Sequence, residues 1–272
     1  MDRVIVGRAR QVDDPGRAWV GRVRVGYHRG TPTQQEGEGL VRPGILVAIE
    51  GIDGAGKSTQ LRALQRALLG LGLQVVVTKE PTDGVYGRRI RATAATGRLP
   101  PDKELALFLA DREEHVRELL IPSLEAGAVV LVDRYYPSTV AYQGSRGLDP
   151  RELLQRNEAF APRPDLTVLL DLPAEVGLSR VRRRDVEENL FERLEDLQRC
   201  RIIFNDLELP GLLRLDATQE PEALTQQIVA ALLGGPLQAR TQVDLRPLAA
   251  TAAPGDTAWR AEAAQALAGA RR

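Results

Sequence analysis

The stretch Gly51-Ile52-Asp53-Gly54-Ala55-Gly56-Lys57-Ser58 decides the fold of this chain, because it matches the phosphate-binding pattern G-x-x-x-x-G-K-[S/T]. It follows an apolar segment at residues 45–50, typical of a buried strand, and precedes a helical pattern. Glycines let backbone amides point toward a phosphate, and the helix N-terminus adds partial positive charge. We therefore predict a nucleotide-phosphate site formed by Gly51, Ile52, Asp53, Gly54, Ala55, Gly56, Lys57, Ser58 and Thr59.

Two residues of this loop have predicted side-chain roles. Lys57 is expected to reach the β and γ oxygens of ATP, and the Ser58 hydroxyl to ligate Mg2+. ATP and Mg2+ are therefore the expected cofactors. Such a loop alone does not separate kinases from GTPases or motor ATPases. The sequence has no Asn-Lys-x-Asp segment for reading guanine, which argues against a GTPase.

The pattern around the loop predicts an α/β fold of the P-loop NTPase type, with a doubly wound parallel sheet flanked by helices. About five strands are predicted, at residues 45–50, 74–78, 129–133, 166–170 and 212–216. Helices are expected between them, most clearly at residues 57–71, 103–125, 151–160, 174–184 and 221–233. Residues 44–234 are thus the predicted catalytic domain.

The two ends of the chain differ from this pattern. Residues 1–43 are rich in Gly, Pro, Arg and polar residues and are predicted to be a poorly ordered extension. Within them, alternating apolar residues at 23–27 favour a strand. Residues 235–272 are predicted to be a tail with one helix, at residues 257–270.

Composition narrows the range of partners. Lys plus Arg equals Asp plus Glu at 37 each, so no net field favours nucleic acid or an anionic membrane. No apolar run approaches the roughly 18 residues of a membrane span, and no secretory signal pattern opens the sequence. The single cysteine, Cys200, cannot form an internal disulfide. We expect a cytoplasmic protein that acts on small-molecule nucleotides.

Polar residues at the end of the third predicted strand favour an acceptor site. Asp133 and Arg134 stand at its carboxyl end, where ligands bind in doubly wound sheets. Asp133 suits Mg2+ or its water shell, and Arg134 suits a phosphate, although a buried structural ion pair is an alternative. Phe108 and Arg112 are four residues apart on a predicted helix, so they share a face that suits a pyrimidine. A core phenylalanine with a solvated arginine is the alternative there.

Between about residues 45 and 233 the chain resembles thymidylate kinases. The resemblance implies transfer of a phosphoryl group from ATP to dTMP, giving dTDP for dTTP biosynthesis, by a homodimer. Five motifs carry it in order: Glu50-Gly51-Ile52-Asp53, Lys79-Glu80-Pro81, Phe108 with Arg112, the run from Asp133-Arg134-Tyr135-Tyr136 to Tyr142-Gln143-Gly144, and Arg163-Pro164-Asp165-Leu166-Thr167.

The resemblance also implies roles for single residues. It places Arg134 and Arg91 at the acceptor phosphate and Asp53 at the 3′-hydroxyl of the acceptor sugar. It stacks thymine on Phe108 and gives Arg112 a hydrogen bond to the base. For Arg91, a solvated charge on a helix face is the alternative. The full predicted substrate-binding set is Glu80, Arg91, Phe108, Arg112, Arg134, Ser138, Tyr142 and Gln143.

One segment departs from the family pattern. Many members follow Glu-Pro with Gly-Gly, whereas this chain has Thr82-Asp83-Gly84-Val85-Tyr86-Gly87. An aspartate here would be unfavourable beside a phosphate unless its carboxylate points away. A kinase for another nucleotide or nucleoside is therefore an alternative.

Arginines clustered from residue 180 predict a helical, basic lid that closes over the phosphates. Gly54 stands where one branch of the family has arginine, so the lid is expected to supply that charge. A nucleotide-binding regulatory protein without activity is the alternative from another class, although the intact phosphate-binding loop argues against it. The predicted catalytic set is Asp53, Lys57, Arg134, Arg182, Arg184 and Arg193.

Overall fold

A computed structural model of the protein describes residues 44–182, 190–241, 244–251 and 258–269. In these residues, five parallel strands form one sheet in the order β2-β3-β1-β4-β5. The predicted parallel α/β fold is confirmed, and every strand lies within one residue of its predicted bounds. The strands are β1 (Ile45–Glu50), β2 (Val75–Lys79), β3 (Val129–Asp133), β4 (Leu166–Asp171) and β5 (Leu212–Asp216).

Helices cover both faces of the sheet. Along β1, Ile45, Val47 and Ile49 enter one hydrophobic cluster, while Leu46 and Ala48 enter another, because alternate side chains point to opposite faces. The helices are α1 (Lys57–Gly70), α2 (Val85–Thr96), α3 (Pro101–His115), α4 (Ile121–Glu125), α5 (Tyr136–Gly144), α6 (Pro150–Glu158), α7 (Ala174–Arg182), α8 (Leu190–Asp206), α9 (Pro221–Gly234), α10 (Arg246–Thr251) and α11 (Ala258–Gly269).

The helix predicted at residues 103–125 is interrupted by one π-helical segment, Val116–Leu120. Pro122 lies just after this segment and has no backbone N–H to donate to the preceding turn. The Ile121 N–H donates to the Val116 carbonyl five residues earlier, as in a π turn. The extra residue absorbs the proline without ending the helix.

Beyond α9, the chain continues to pack against the same core. Leu237, Leu245, Leu248, Ala263 and Leu267 are buried members of the hydrophobic cluster that includes the apolar residues of α9. The helix predicted at residues 257–270 is present as α11, whereas α10 was not predicted. The domain boundaries at 43 and 234 stay predictions, and the strand expected at residues 23–27 lies outside the described residues.

The topology brings two predicted functional segments together. β1 lies between β3 and β4, and Ile49 pairs with Asp133 in the β1–β3 register. The carboxyl end of β1 leads into the phosphate-binding loop, so Asp133 and Arg134 emerge beside that loop. Such an edge of a doubly wound sheet is where ligands bind. Within the described residues, no helix is both long and apolar enough to span a membrane.

Candidate active site

The phosphate-binding loop holds its own lysine. The Lys57 ammonium group donates to the carbonyl oxygens of Gly51, at 3.1 Å, and Ile52, at 2.9 Å. Burial and the neighbouring Arg134 lower the pKa of Lys57 to about 8, against the opposing effect of Asp53 and other nearby carboxylates. The Lys57 side chain is therefore folded over the loop. The phosphates that it is predicted to contact would bind in the same loop.

A close contact between the loop and α7 explains the glycine at position 54. Gly54 has φ +83°, and a Cβ there would lie 2.3 Å from the carbonyl oxygen of Gly177 in α7. An arginine, as in one branch of the family, would not fit this packing. Instead, the Arg180 guanidinium in α7 donates to the carbonyls of Gly54, at 3.3 Å, and Ala217, at 3.4 Å. Arg180 was missing from the predicted set, although the run of arginines beginning there was a signal for it.

The residues predicted to hold Mg2+ are adjacent. The Ser58 hydroxyl donates to Asp133 Oδ2 at 2.9 Å. The other carboxylate oxygen, Asp133 Oδ1, is shielded from solvent and has no hydrogen-bond partner among the described residues. Hydroxyl and carboxylate oxygens are the hard ligands that Mg2+ prefers. The donor set and the unsatisfied oxygen therefore fit the ion.

Arg134 is the centre of the predicted acceptor site. Its Nη2 donates to Asp53 Oδ1 at 2.5 Å and to the Tyr142 hydroxyl at 3.2 Å, and its guanidinium lies 4.9 Å from the Tyr142 ring centre. Its Nη1 donates to Ser138 Oγ at 3.1 Å and to the Gly51 carbonyl at 3.3 Å. Asp53 thus has an arginine partner, which offsets its negative charge beside the phosphate-binding loop.

A cavity of about 180 Å³ opens beside this pair. Asp53 and Tyr142 are on its wall, so two predicted site residues face the same space. Phe108 is half-buried on α3 and does not line this cavity. The cavity is lined by Asp53, Arg98, Tyr142, Ser145, Leu178, Val181, Asp196, Leu197 and Cys200.

Arg112 lies in a buried network and is not a solvated charge. Its guanidinium donates to Glu80 Oε2 from Nη2 at 2.5 Å and from Nε at 2.9 Å, to Thr139 Oγ1 at 3.0 Å, and to Asn157 Oδ1. The side chain is 1% exposed. These contacts use four of its five N–H groups, so its predicted bond to a base must use the fifth or displace a protein partner.

Glu80 is the carboxylate that organises this network. Its Oε1 contacts His115 Nδ1 at 2.8 Å, and His115 Nε2 lies 2.8 Å from Thr78 Oγ1 on β2. Burial acts to raise the pKa of Glu80, but Arg112 and His115 outweigh it and hold the pKa below its ordinary value. Both carboxylate oxygens of Glu80 thus bind protein partners, and its place among the substrate ligands stays a prediction.

The segment that departs from the family pattern is firmly held. Asp111 accepts hydrogen bonds from the Thr82 N–H at 2.8 Å and the Thr82 hydroxyl at 2.6 Å. Asp83 pairs with Lys79 at 3.2 Å and with Arg91 at 2.9 Å, so its carboxylate is neutralised within the loop. Arg91 also donates to the Pro81 and Thr82 carbonyls, which ties this predicted phosphate ligand to the same loop.

Gln143 faces the interior and does not line the cavity. It is fully buried, and its amide donates to Glu104 Oε2 at 2.7 Å. Glu104 also binds Arg98 and Arg146, and the Arg98 side chain reaches the cavity wall. Of the predicted lid arginines, Arg184 lies outside the described residues, as do the side chains of Arg182 and Arg193.

Comparisons with known proteins agree with this geometry. The sequence profile of a family described as thymidylate kinase matches residues 49–228. A thymidylate kinase of Xanthomonas oryzae pv. oryzae (strain PXO99A) is 52% identical over 193 residues, which are 70% of this chain and 85% of that protein. A thymidylate kinase of Xylella fastidiosa (strain 9a5c) is 50% identical over 189 residues, covering 70% of this chain and 90% of that protein.

Proposed function

The chain belongs to the thymidylate kinase family, and we infer that it transfers the γ-phosphoryl group of ATP to dTMP, forming dTDP and ADP. One structural observation supports this inference independently of the family match. Arg134, the proposed ligand of the acceptor phosphate, is paired at 2.5 Å with Asp53 of the phosphate-binding loop. Donor and acceptor phosphates can therefore be held side by side, as direct transfer requires.

The reaction makes one bond and breaks one. An oxygen of the dTMP phosphate bonds to the γ-phosphorus, while the bond between that phosphorus and the β–γ bridging oxygen breaks, leaving ADP. No strong base is needed, because the attacking oxygen belongs to an already ionised phosphate. Lys57 and Arg134 position the two phosphates and offset their charge, which is the main task of the protein in such transfers.

The sugar of the acceptor nucleoside is proposed to lie at the cavity wall formed by Asp53 and Tyr142, with the base extending beyond the cavity to Phe108. Asp53 would accept a hydrogen bond from the sugar hydroxyl, and the half-buried Phe108 would stack on the base. Arg91 lies on the loop at Thr82 and would reach the acceptor phosphate from that side. Arg182, Arg184 and Arg193 are proposed to complete the charge around the transferred group when the lid closes.

We propose Ser58 and Asp133 as the protein ligands of Mg2+, which would offset charge on the β and γ oxygens of ATP. The enzyme is further proposed to be a cytoplasmic homodimer, as the family resemblance implies. Light scattering of the purified chain would measure the mass of the assembly.

A second acceptor remains a candidate because Thr82–Gly87 replaces the usual Gly-Gly beside the acceptor site. ADP release with ATP, Mg2+ and each of dTMP, dUMP, UMP, CMP, dCMP, AMP and GMP separates the candidates. We expect preference for dTMP and a loss of roughly 10²–10³-fold in kcat for Lys57→Ala, as when a group that stabilises the transition state is removed. Lys103→Ala, an exposed change on α3, is the matched control. Preference for another monophosphate would keep the mechanism and reassign the acceptor pocket.

A further inference from the structure

Arg134 has an unusual backbone conformation. Its φ is +64°, and among the described residues it is the one non-glycine residue with positive φ. A side chain makes the left-handed region unfavourable, so such a residue persists only where its surroundings hold it. The contacts that hold Arg134 therefore bear directly on the predicted acceptor site.

Two consecutive residues of β1 hold the backbone around Arg134. The Arg134 N–H donates to the Ile49 carbonyl at 3.1 Å. The next N–H, that of Tyr135, donates to Glu50 Oε1 at 2.7 Å. β1 thus holds the turn that follows β3 through two hydrogen bonds, one accepted by a backbone carbonyl and the other by a side chain.

Glu50 also reaches the head group of Arg134 through Ser138. The Ser138 hydroxyl donates to Glu50 Oε2 at 2.5 Å, and Arg134 Nη1 donates to the same hydroxyl at 3.1 Å. A hydroxyl has one proton, so donation to Glu50 leaves the Ser138 lone pairs facing Arg134. One carboxylate therefore orients both the backbone turn and the hydroxyl that steadies the guanidinium.

We propose that Glu50 is a positioning residue for acceptor binding, acting on Arg134 through Tyr135 and Ser138. Glu50 itself is 0% exposed and so does not contact the nucleotide. The inference rests on the proposed function, because it takes Arg134 as the ligand of the acceptor phosphate. Ser138 acquires a different role from the predicted one, since its hydroxyl is occupied by protein partners.

Glu50→Gln and Ser138→Ala test the proposal. A glutamine amide nitrogen donates hydrogen bonds and cannot accept one, so Glu50→Gln loses at least one of the two contacts. We expect KM for dTMP to rise roughly tenfold in each variant, the scale of one lost charge-assisted hydrogen bond, with KM for ATP changed less than about twofold. Calorimetric binding of dTMP should weaken by a similar factor.

Asp165→Asn is the matched control. Asp165 is a carboxylate that binds the backbone of β1, accepting from the Leu46 N–H at 2.8 Å, at the end of the strand opposite to Glu50. We expect this variant to be less stable and to keep the wild-type KM for dTMP. A rise in that KM similar to the rise in Glu50→Gln would show a general effect of loosening β1 and would overturn the proposal.

The double variant completes the test. If Glu50 acts through Ser138, Glu50→Gln with Ser138→Ala should raise KM for dTMP little more than either change alone. Additive effects, or equal rises in KM for ATP and dTMP, would contradict the proposal. If Glu50→Gln does not fold, Ser138→Ala decides by the same KM comparison. Wild-type turnover tests the proposed function separately, and calorimetric binding tests positioning even without turnover.

Discussion

The two halves of the site are built differently. In the donor half, the lysine of the loop at residues 51–58 is held by near neighbours, since Lys57 donates to the Gly51 and Ile52 carbonyls. In the acceptor half, hydrogen bonds join side chains that are far apart in sequence. Ser138 donates to Glu50, and Arg112 donates to Glu80. A contiguous motif describes the first half, whereas only the folded chain assembles the second.

This difference suggests where each half is vulnerable. The donor loop depends on backbone geometry, which most side-chain changes leave intact. The acceptor half depends on buried carboxylates, each of which binds several partners at once. Removing one partner leaves a charge or a donor buried without compensation, which costs more than the bond itself contributed.

Arg112→Met should have the largest effect on stability, because it leaves Glu80 buried without its cation. We expect a loss of about 3–5 kcal/mol in the free energy of unfolding, measured by denaturant titration. Arg156→Met is the matched control: Arg156 pairs with Glu152 at 3.8 Å on an exposed helix face and should cost almost nothing. Unchanged stability with abolished dTMP binding would instead make Arg112 a ligand of the base.

Glu50 should make stability depend on pH. Burial raises the pKa of Glu50 to about 7, although its hydrogen bonds from Ser138 and Tyr135 oppose the shift. The folded state therefore binds a proton more tightly than the unfolded state, so this group weakens stability as pH rises from its ordinary pKa of 4.5 to about 7. The expected loss is about 2 kcal/mol.

Glu50→Gln isolates this effect, because the glutamine does not titrate. Glu80, Glu104 and Asp171 have lowered pKa values, so their contributions change at lower pH than that of Glu50. The difference in unfolding free energy between wild type and variant should therefore change between pH 4.5 and about 7. A constant difference over that range would show that Glu50 does not titrate there.

Asp111→Ala should have a smaller effect that is confined to the acceptor half. It removes both bonds to Thr82, so we expect a loss of about 1.5 kcal/mol and a several-fold higher KM for dTMP. Steady-state kinetics with each substrate in turn measure the second effect. Glu113→Ala, on the same helix, is the control for a change in helix propensity and should leave KM unchanged. An equal rise in KM for ATP would show that the loop at Thr82 serves both halves.

Much of the fold could be predicted from the sequence, because buried parallel strands are apolar throughout and alternate with amphipathic helices. The helix α2 is not among the helices predicted most clearly, and its start at Val85 and Tyr86 is predicted as part of a loop that contains Gly84 and Gly87. A Cβ at Gly87 would lie 1.9 Å from the Thr82 carbonyl oxygen, so this glycine allows the first turn of α2 to pack closely against the preceding loop. Composition alone does not distinguish these two uses of glycine.

The site was predicted less completely than the fold. The family resemblance placed both Asp53 and Arg134 at the acceptor nucleotide, and the structure brings the two side chains together. The contacts of Arg112 and Gln143 with buried carboxylates did not follow, because they join residues on different elements. Their sequence spacing carries no information about which partner each side chain meets.

We propose a division of roles in which Arg134 binds the acceptor phosphate and Lys57 binds the donor phosphates. Calorimetric titration of Arg134→Met with ATP and, separately, with dTMP tests it most directly. We expect dTMP affinity to fall by roughly 30-fold or more, the cost of losing a buried charged contact, while ATP affinity stays within a few-fold of wild type. Equal losses for both nucleotides, or unchanged dTMP affinity, would contradict it.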